Sequence, residues 1–294
     1  MAGKPLIDDI KNGKIFILDG ALGTNMQLNG LPAGKLNEEW VLEKPEIPLK
    51  IHSDFAEAGS DILLTMTFCA NPIHLSDTPF AQRTKEINYK AVDLVKEAAK
   101  GKNISIAGSL GPIGKLMAPY GPLEPNDFYT SFAEQAKYLT EAGVDLLVLE
   151  TFYSIEEGTE ALKGIRSVSD LPLVVSFSFD RGTRTMMGAK PSTVAQTFTD
   201  LGADVIGINC GKGLDENTEC LKMMRDATTL PLWFKPNAGK PEIGSDGKTH
   251  YHVTPEEIAS RVPDWLAIGA QFIGCCCGST AAHIHAIASR IKTA

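Results

Sequence analysis

Three consecutive cysteines, Cys275, Cys276 and Cys277, close a short apolar run in IGCCCGST, and Cys210 closes an earlier one in GINCGKG. Catalytic Zn2+ takes three protein ligands and keeps a fourth position for a substrate, so three thiolates suit it. Such a centre carries a charge of about −1, and a fourth thiolate makes it about −2, which keeps the added sulfur nucleophilic. A free alkyl thiol with pKa ~8.5 is only slightly ionised at neutral pH, and metal binding removes that limit. The chemistry that fits best is transfer of an electrophilic carbon to a zinc-bound thiol. Hydrolysis fits less well, because zinc hydrolases commonly use His and carboxylate ligands. Taken alone, Cys210 is more often a small buried hydrophobe than a ligand; the pair at 276 and 277 shifts the balance. Cys275 reads as a strand residue facing away from the site, and Cys69 and Cys220 as core or helix-face residues. No histidine has ligand spacing: His250 and His252 fall in a hairpin-like stretch, and His283 and His285 read as surface residues of the last helix.

These cysteines need a scaffold that brings distant segments together. Eight strand-like runs recur, KIFILD, DILLTMTF, ISIAG, DLLVLE, LPLVVSFSF, DVIGIN, PLWFK and QFIGC. Helix-like segments lie between them at 48–58, 83–99, 128–142, 154–167, 193–201, 215–228 and 255–268, and an eighth closes the chain at 280–291. Near-continuous apolar strands alternating with helices mark a parallel α/β fold, and eight repeats favour a closed (β/α)8 TIM barrel. An open doubly wound sheet would carry a glycine-rich phosphate turn after its first strand, and DGALGTN does not match G-x-G-x-x-G. Residues 1–294 are expected to form one domain. Two long Gly/Pro-rich loops, 109–126 and 236–253, are candidate lids or binding surfaces.

In this register Asp19, Thr67, Ser109, Glu150, Ser178, Cys210, Asn237 and Cys276 all end strands on the C-terminal face, where barrel active sites are built. Asp19 and Glu150 serve there as loop caps or as ligands for an ammonium group, and the Gly278-Ser279-Thr280 turn can offer amides to an anion. The net charge of −8 argues against a nucleic-acid or anionic-membrane surface. No stretch approaches the roughly 20 apolar residues of a membrane span, and the N-terminus lacks an apolar signal core, so the expected location is the cytoplasm.

The ordered set DGALGTNMQ, IHSDFAEAGSDILLTMTFCAN, GSLGPIGKLMAPYG, AGVDLLVLETF, GADVIGINCG, KPNAGKP and GCCCGST resembles the homocysteine S-methyltransferase family, and within it the homocysteine-binding module of cobalamin-dependent methionine synthase. The resemblance spans nearly the whole chain. It implies a barrel with Zn2+ on Cys210, Cys276 and Cys277, homocysteine sulfur as exchangeable fourth ligand, and methionine as product. It further implies that Asn237 occupies the fourth zinc position when substrate is absent, and that Asp19, the amides of Gly20 and Ala21, Ser109 and Glu150 grip the amino-acid end. The implied donor is a methyl-corrinoid on a separate protein, with an S-methylmethionine- or betaine-type donor as the alternative. A non-catalytic homocysteine- or zinc-binding module is a further alternative, and a barrel lyase or isomerase with structural cysteines a third. The chain departs from the family at Cys275, where a glycine is usual, at Met66, where TNTF is usual, and at Gly211-Lys212-Gly213-Leu214, where a Gly-Pro turn is usual.

Overall fold

The computed structural model describes residues 4–32, 34–245 and 249–293. Its strands are β1 Phe16–Ile17, β2 Ile62–Leu64, β3 Ser105–Leu110, β4 Leu146–Phe152, β5 Leu173–Phe177, β6 Val205–Cys210, β7 Leu232–Pro236, β8 Glu242–Ile243, β9 Thr249–His250 and β10 Ala270–Ile273. Eight of them form one parallel sheet in the order β1-β10-β7-β6-β5-β4-β3-β2. A parallel bridge between Leu18 and Ile62 joins the two edges, so the sheet closes as a (β/α)8 barrel. The remaining pair, β8 and β9, is an antiparallel hairpin in the loop after β7.

Alternation along each strand sorts the apolar side chains into two layers. Phe16, Leu18, Ile62, Val148, Trp233 and Phe272 fill the barrel interior, and Leu6 and Ile10 of α1 (Lys4–Lys11) pack with them. The opposite parity, including Leu63, Leu147, Val175, Ile206, Phe234 and Ile273, packs outward under the helices. Each parallel strand is thus largely apolar on both faces, and apart from Ser105 and Gln271 near strand starts its polar residues gather toward the C-terminal end.

The outer helices are α4 Glu46–Ala58, α6 Thr84–Ala98, α7 Pro125–Ala142, α8 Ile155–Arg166, α9 Pro191–Asp200, α10 Leu214–Arg225, α11 Pro255–Ile268 and α12 Ala281–Lys292. Helix α7 starts earlier than the apolar periodicity suggests. Pro125 sits at its first turn, and Glu124 and Asp127 form a reciprocal capping box that satisfies backbone amides ahead of the first core residue. Helix α9 likewise starts at Pro191. Three short helices outside the eightfold pattern, α2 Leu22–Leu28, α3 Glu39–Glu43 and α5 Pro72–Leu75, lie in the loops after β1 and β2. Both strands are shorter than their apolar runs: after Leu64 the ladder gives way to side-chain bonds, with Thr65 and Thr67 hydroxyls 2.7 Å apart and Thr67 donating to the Ser109 carbonyl at 2.7 Å. No helix among the described residues is long and apolar enough to cross a membrane.

Candidate active site

Strand β6 ends by turning its chain through two left-handed residues, Cys210 at φ 58° and Gly211 at φ 78°. A side chain at 211 would meet Asn217 Oδ1 at 2.1 Å, so the turn requires glycine there. Asn217 Nδ2 donates to the Cys210 carbonyl at 2.6 Å and holds the turn against α10. The segment after β7 is stitched between the two cysteine-bearing segments: Asn237 N donates to the Cys210 carbonyl, Cys276 N to the Pro236 carbonyl, and Ala238 N to the Cys277 carbonyl. These bonds bring three thiols from distant parts of the chain to one point.

Cys210 Sγ lies 3.0 Å from Cys276 Sγ and 3.9 Å from Cys277 Sγ. All three sulfurs fall within 4.8 Å of one another, the one group of this kind among the described residues. Tetrahedral zinc with Zn–S of about 2.3 Å needs sulfurs about 3.8 Å apart, so small rotations suffice to hold the ion. The neighbouring Asn237 donates its Nδ2 to the Gly211 carbonyl at 2.8 Å, while its buried Oδ1 has no protein partner. Buried polar atoms are rarely left so, and this one belongs to a side chain bonded to the turn that carries Cys210. Hydrogen bonds from Cys210 and Cys276, opposed by burial, hold the Cys277 thiol well below its ordinary pKa, whereas bonds to Cys276 and Cys277 together with burial push Cys210 well above it. For Cys276 the bond to Cys210 is outweighed by the bond to Cys277 and by burial, and its pKa is raised to about 12.

A cavity of about 290 Å³ opens against these sulfurs, with Gly20, Met66, Phe68, Glu150, Thr151 and Lys235 on its wall. Glycine is required at 20, because a Cβ there would lie 2.4 Å from the Phe55 ring. Glu150 is nearly buried and accepts from Ser109 Oγ at 2.5 Å. Burial raises its pKa to about 7, against the pull of Lys235 and the Ser109 hydrogen bond.

Lys235, which sequence reasoning passed over, sits on the inward parity of β7, 3% exposed, with its ammonium 2.5 Å from Asp19 Oδ1. Burial opposes its charge, but Asp19, Glu150 and Cys276 outweigh that and raise its pKa. The other Asp19 oxygen accepts from Leu64 N at 2.8 Å. Both oxygens of Asp19 are thus engaged within the protein, and its closest cation is Lys235. Strand alternation from Trp233 was the signal that could have placed Lys235 inside the barrel mouth.

A family model for homocysteine S-methyltransferase matches residues 16–291. The chain belongs to the homocysteine S-methyltransferase family. Methionine synthase of Mycobacterium tuberculosis is 26% identical over 300 residues that include 96% of this chain and 25% of that protein. The Mycobacterium leprae methionine synthase is 26% identical over 95% of this chain and 24% of its own. The chain therefore spans about a quarter of the length of these curated relatives. Among solved structures, the metallated form of the Escherichia coli homocysteine methyltransferase MmuM superposes with a TM-score of 0.80 at 25% identity, covering 98% of this chain and 99% of that one. Its apo form gives a TM-score of 0.76 at 24% identity.

Within this family member, the structure gathers most of the expected site residues at one mouth: Cys210, Cys276, Cys277, Gly20, Ala21, Ser109 and Glu150 all line the cavity. Asn237 lies beside it through its bonds to the Cys210 turn, and Asp19 beneath it through Lys235. The Ala21 amide already donates to Ser279 Oγ at 3.0 Å, so the turn before α12 closes onto the loop after β1. Cys275 points outward into the core under the helices, and Cys220 is buried on α10. His283 is corrected: it is buried, not a surface residue, because its ring closes the α12 capping box with Thr280 and its Nε2 lies 3.0 Å from the Val253 carbonyl. Tyr251, another residue missed in the sequence, covers Gly278 with its ring next to Cys277.

Proposed function

We propose that the protein is a homocysteine S-methyltransferase in which Cys210, Cys276 and Cys277 hold Zn2+. The carrying observation is the triad of thiols at the cavity mouth; Asn237, bonded to the Cys210 turn and with an unpartnered Oδ1, is the residue we assign as exchangeable fourth ligand. Bound there, Zn2+ supplies the Lewis acidity that keeps a substrate thiol ionised at neutral pH.

The chain's own residues do the rest. Glu150, held by Ser109 beside the thiols, takes the homocysteine ammonium, and the Gly20 amide, rather than the Ala21 amide already engaged by Ser279, meets its carboxylate. Asp19 acts indirectly by fixing Lys235, whose positive charge lies close enough to Cys276 to offset accumulating thiolate charge. Met66, Phe68 and Leu64 exclude water from the reacting sulfur. The thiolate attacks the methyl carbon; the S–CH3 bond forms, the donor–CH3 bond breaks, and the bonding pair leaves with the donor. The thiol proton has by then passed to solvent.

The donor in this reading is a methyl-corrinoid on a separate protein, presented at the rim. Similarity to two methionine synthases supports it. A small sulfonium or ammonium donor is the second reading, favoured by the mostly apolar cavity that also carries Glu38 and Glu150.

The test is zinc per chain on anaerobically purified protein, for the wild type and for Cys210→Ser, Cys276→Ser, Cys277→Ser and Cys275→Ser. About one zinc is expected, lost in the first three and kept in the last, followed by methionine formation from homocysteine with methylcobalamin or a methylated corrinoid protein. Full zinc retention in Cys210→Ser would sink the metal assignment. Turnover with S-methylmethionine or betaine but with no corrinoid would replace the donor, and binding without turnover with any donor would leave a homocysteine-binding module.

A further inference from the structure

Strand β4 pairs with β5 in register as far as Leu149–Val175 and resumes at Phe152–Phe177, so Glu150 and Thr151 together face the single residue Ser176. This is a β-bulge, which re-aims side chains and is common beside active sites. Thr151 takes φ 64°, a left-handed conformation unfavourable for a β-branched residue. The consequence is that Glu150 and Thr151, adjacent in sequence, both line the cavity, which a regular strand forbids.

One fully buried side chain holds this bulge. Asn209 Oδ1 accepts from Thr151 N at 2.8 Å and from Ser176 Oγ at 2.7 Å. Its Nδ2 donates to Thr151 Oγ1 at 2.6 Å and lies 3.6 Å from Cys210 Sγ, within reach of an N–H···S bond. The position needs an acceptor for two donors and two N–H groups on a short stem, which asparagine provides and Asp, Ser or Leu does not.

We propose that Asn209 is a positioning residue that sets the amino-acid-binding wall against the thiolate cluster. Resting on the reading of the site as a homocysteine centre, its carboxamide fixes the span between the ammonium partner Glu150 and the metal ligand Cys210. One substrate can then reach both. Its N–H also lies within hydrogen-bond reach of the Cys210 sulfur, tying the bulge directly to that ligand. Partners that orient metal ligands typically change metal affinity or activity about 10- to 100-fold when removed.

Asn209→Asp keeps the acceptor oxygens and loses both donors; Asn209→Ser loses the reach for all four contacts; Thr151→Gly accepts the left-handed backbone and keeps the N–H bonded to Asn209, while losing the hydroxyl partner together with the γ-methyl. Zinc affinity is read by competition with a chromophoric chelator, cysteine donation by the sulfur-to-metal charge-transfer band of the Co2+-loaded protein, and substrate placement by homocysteine KM and kcat. Both Asn209 variants are expected to bind zinc at least ~10-fold more weakly, to shift the charge-transfer band and to raise KM. Thr151→Gly should keep wild-type zinc affinity and raise KM alone. Asn209 variants with wild-type zinc affinity, Co2+ spectrum and KM, differing only in melting temperature, would overturn the proposal. If wild-type protein binds zinc but homocysteine does not perturb the Co2+ spectrum, the homocysteine reading fails, and the zinc and spectral arms still decide the role of Asn209.

Discussion

Glu150 carries a penalty that can be measured apart from catalysis. Burial raises its carboxyl from 4.5 to about 7. Between those values the unfolded chain has released the proton and the folded chain has kept it, so the contribution of Glu150 to stability is full below pH ~4.5, falls as pH rises toward 7 and levels off above it. Evaluated between pH 5 and pH 8, a rise of this size amounts to about 2.5 kcal/mol. Glu150→Gln preserves shape and cannot ionise. Urea unfolding of metal-free, reduced protein should therefore show the variant gaining on wild type by about 2–3 kcal/mol from pH 5 to pH 8. Glu38 and Glu157, raised to about 7 by burial as well, contribute equally to both proteins and cancel. The same variant should lose homocysteine binding, since a neutral amide cannot pair with an ammonium. Stability differences that do not change with pH would refute the account of Glu150 as a desolvated carboxyl retained for binding.

Lys235→Met should lower stability by about 3–5 kcal/mol in denaturant unfolding, because it strands Asp19 in a buried site without its counter-charge. Loss of under ~1 kcal/mol would indicate that the pair is solvated. Gly278→Ala should raise the zinc dissociation constant in chelator competition and loosen the hairpin, because φ is 83° and a Cβ would meet the Tyr251 ring at 2.2 Å; unchanged affinity would detach that ring from the centre. Chelation of wild-type protein should lower its melting temperature, since zinc bound only by the folded state stabilises it by mass action, and the same treatment should leave Cys210→Ser unmoved.

The barrel was legible because its evidence is local and repeated. Eight apolar runs alternating with amphipathic segments permit few arrangements, and the strand-end parity already put Ser109, Glu150 and Cys210 on one rim. The cysteines were legible by residue type, since three thiols at two strand ends have few other uses. Capping chemistry was the part of the secondary structure that periodicity missed: Pro125 and Pro191 begin helices before their first core residue appears.

Contacts between distant segments were beyond such reading. Asp19 looks like a free anion in the sequence and proves to be bound to Lys235, more than two hundred positions away, because the closed barrel points both into one dry interior where neither can stay charged alone. His283 is polar by type and buried in fact, because its ring has found Thr280 and Val253. The bulge at Glu150–Thr151 exists only when β4 lies against β5 and Asn209 reaches across from β6. By itself, then, the sequence determined the strand–helix order, the inward parity and the kinds of chemistry available at the rim, because these depend on side-chain type and spacing along the chain. Tertiary structure decided which charges are spent on each other, which sulfurs meet and which backbone turns inward, because those depend on closure of the sheet, which sets distances that spacing along the chain does not encode.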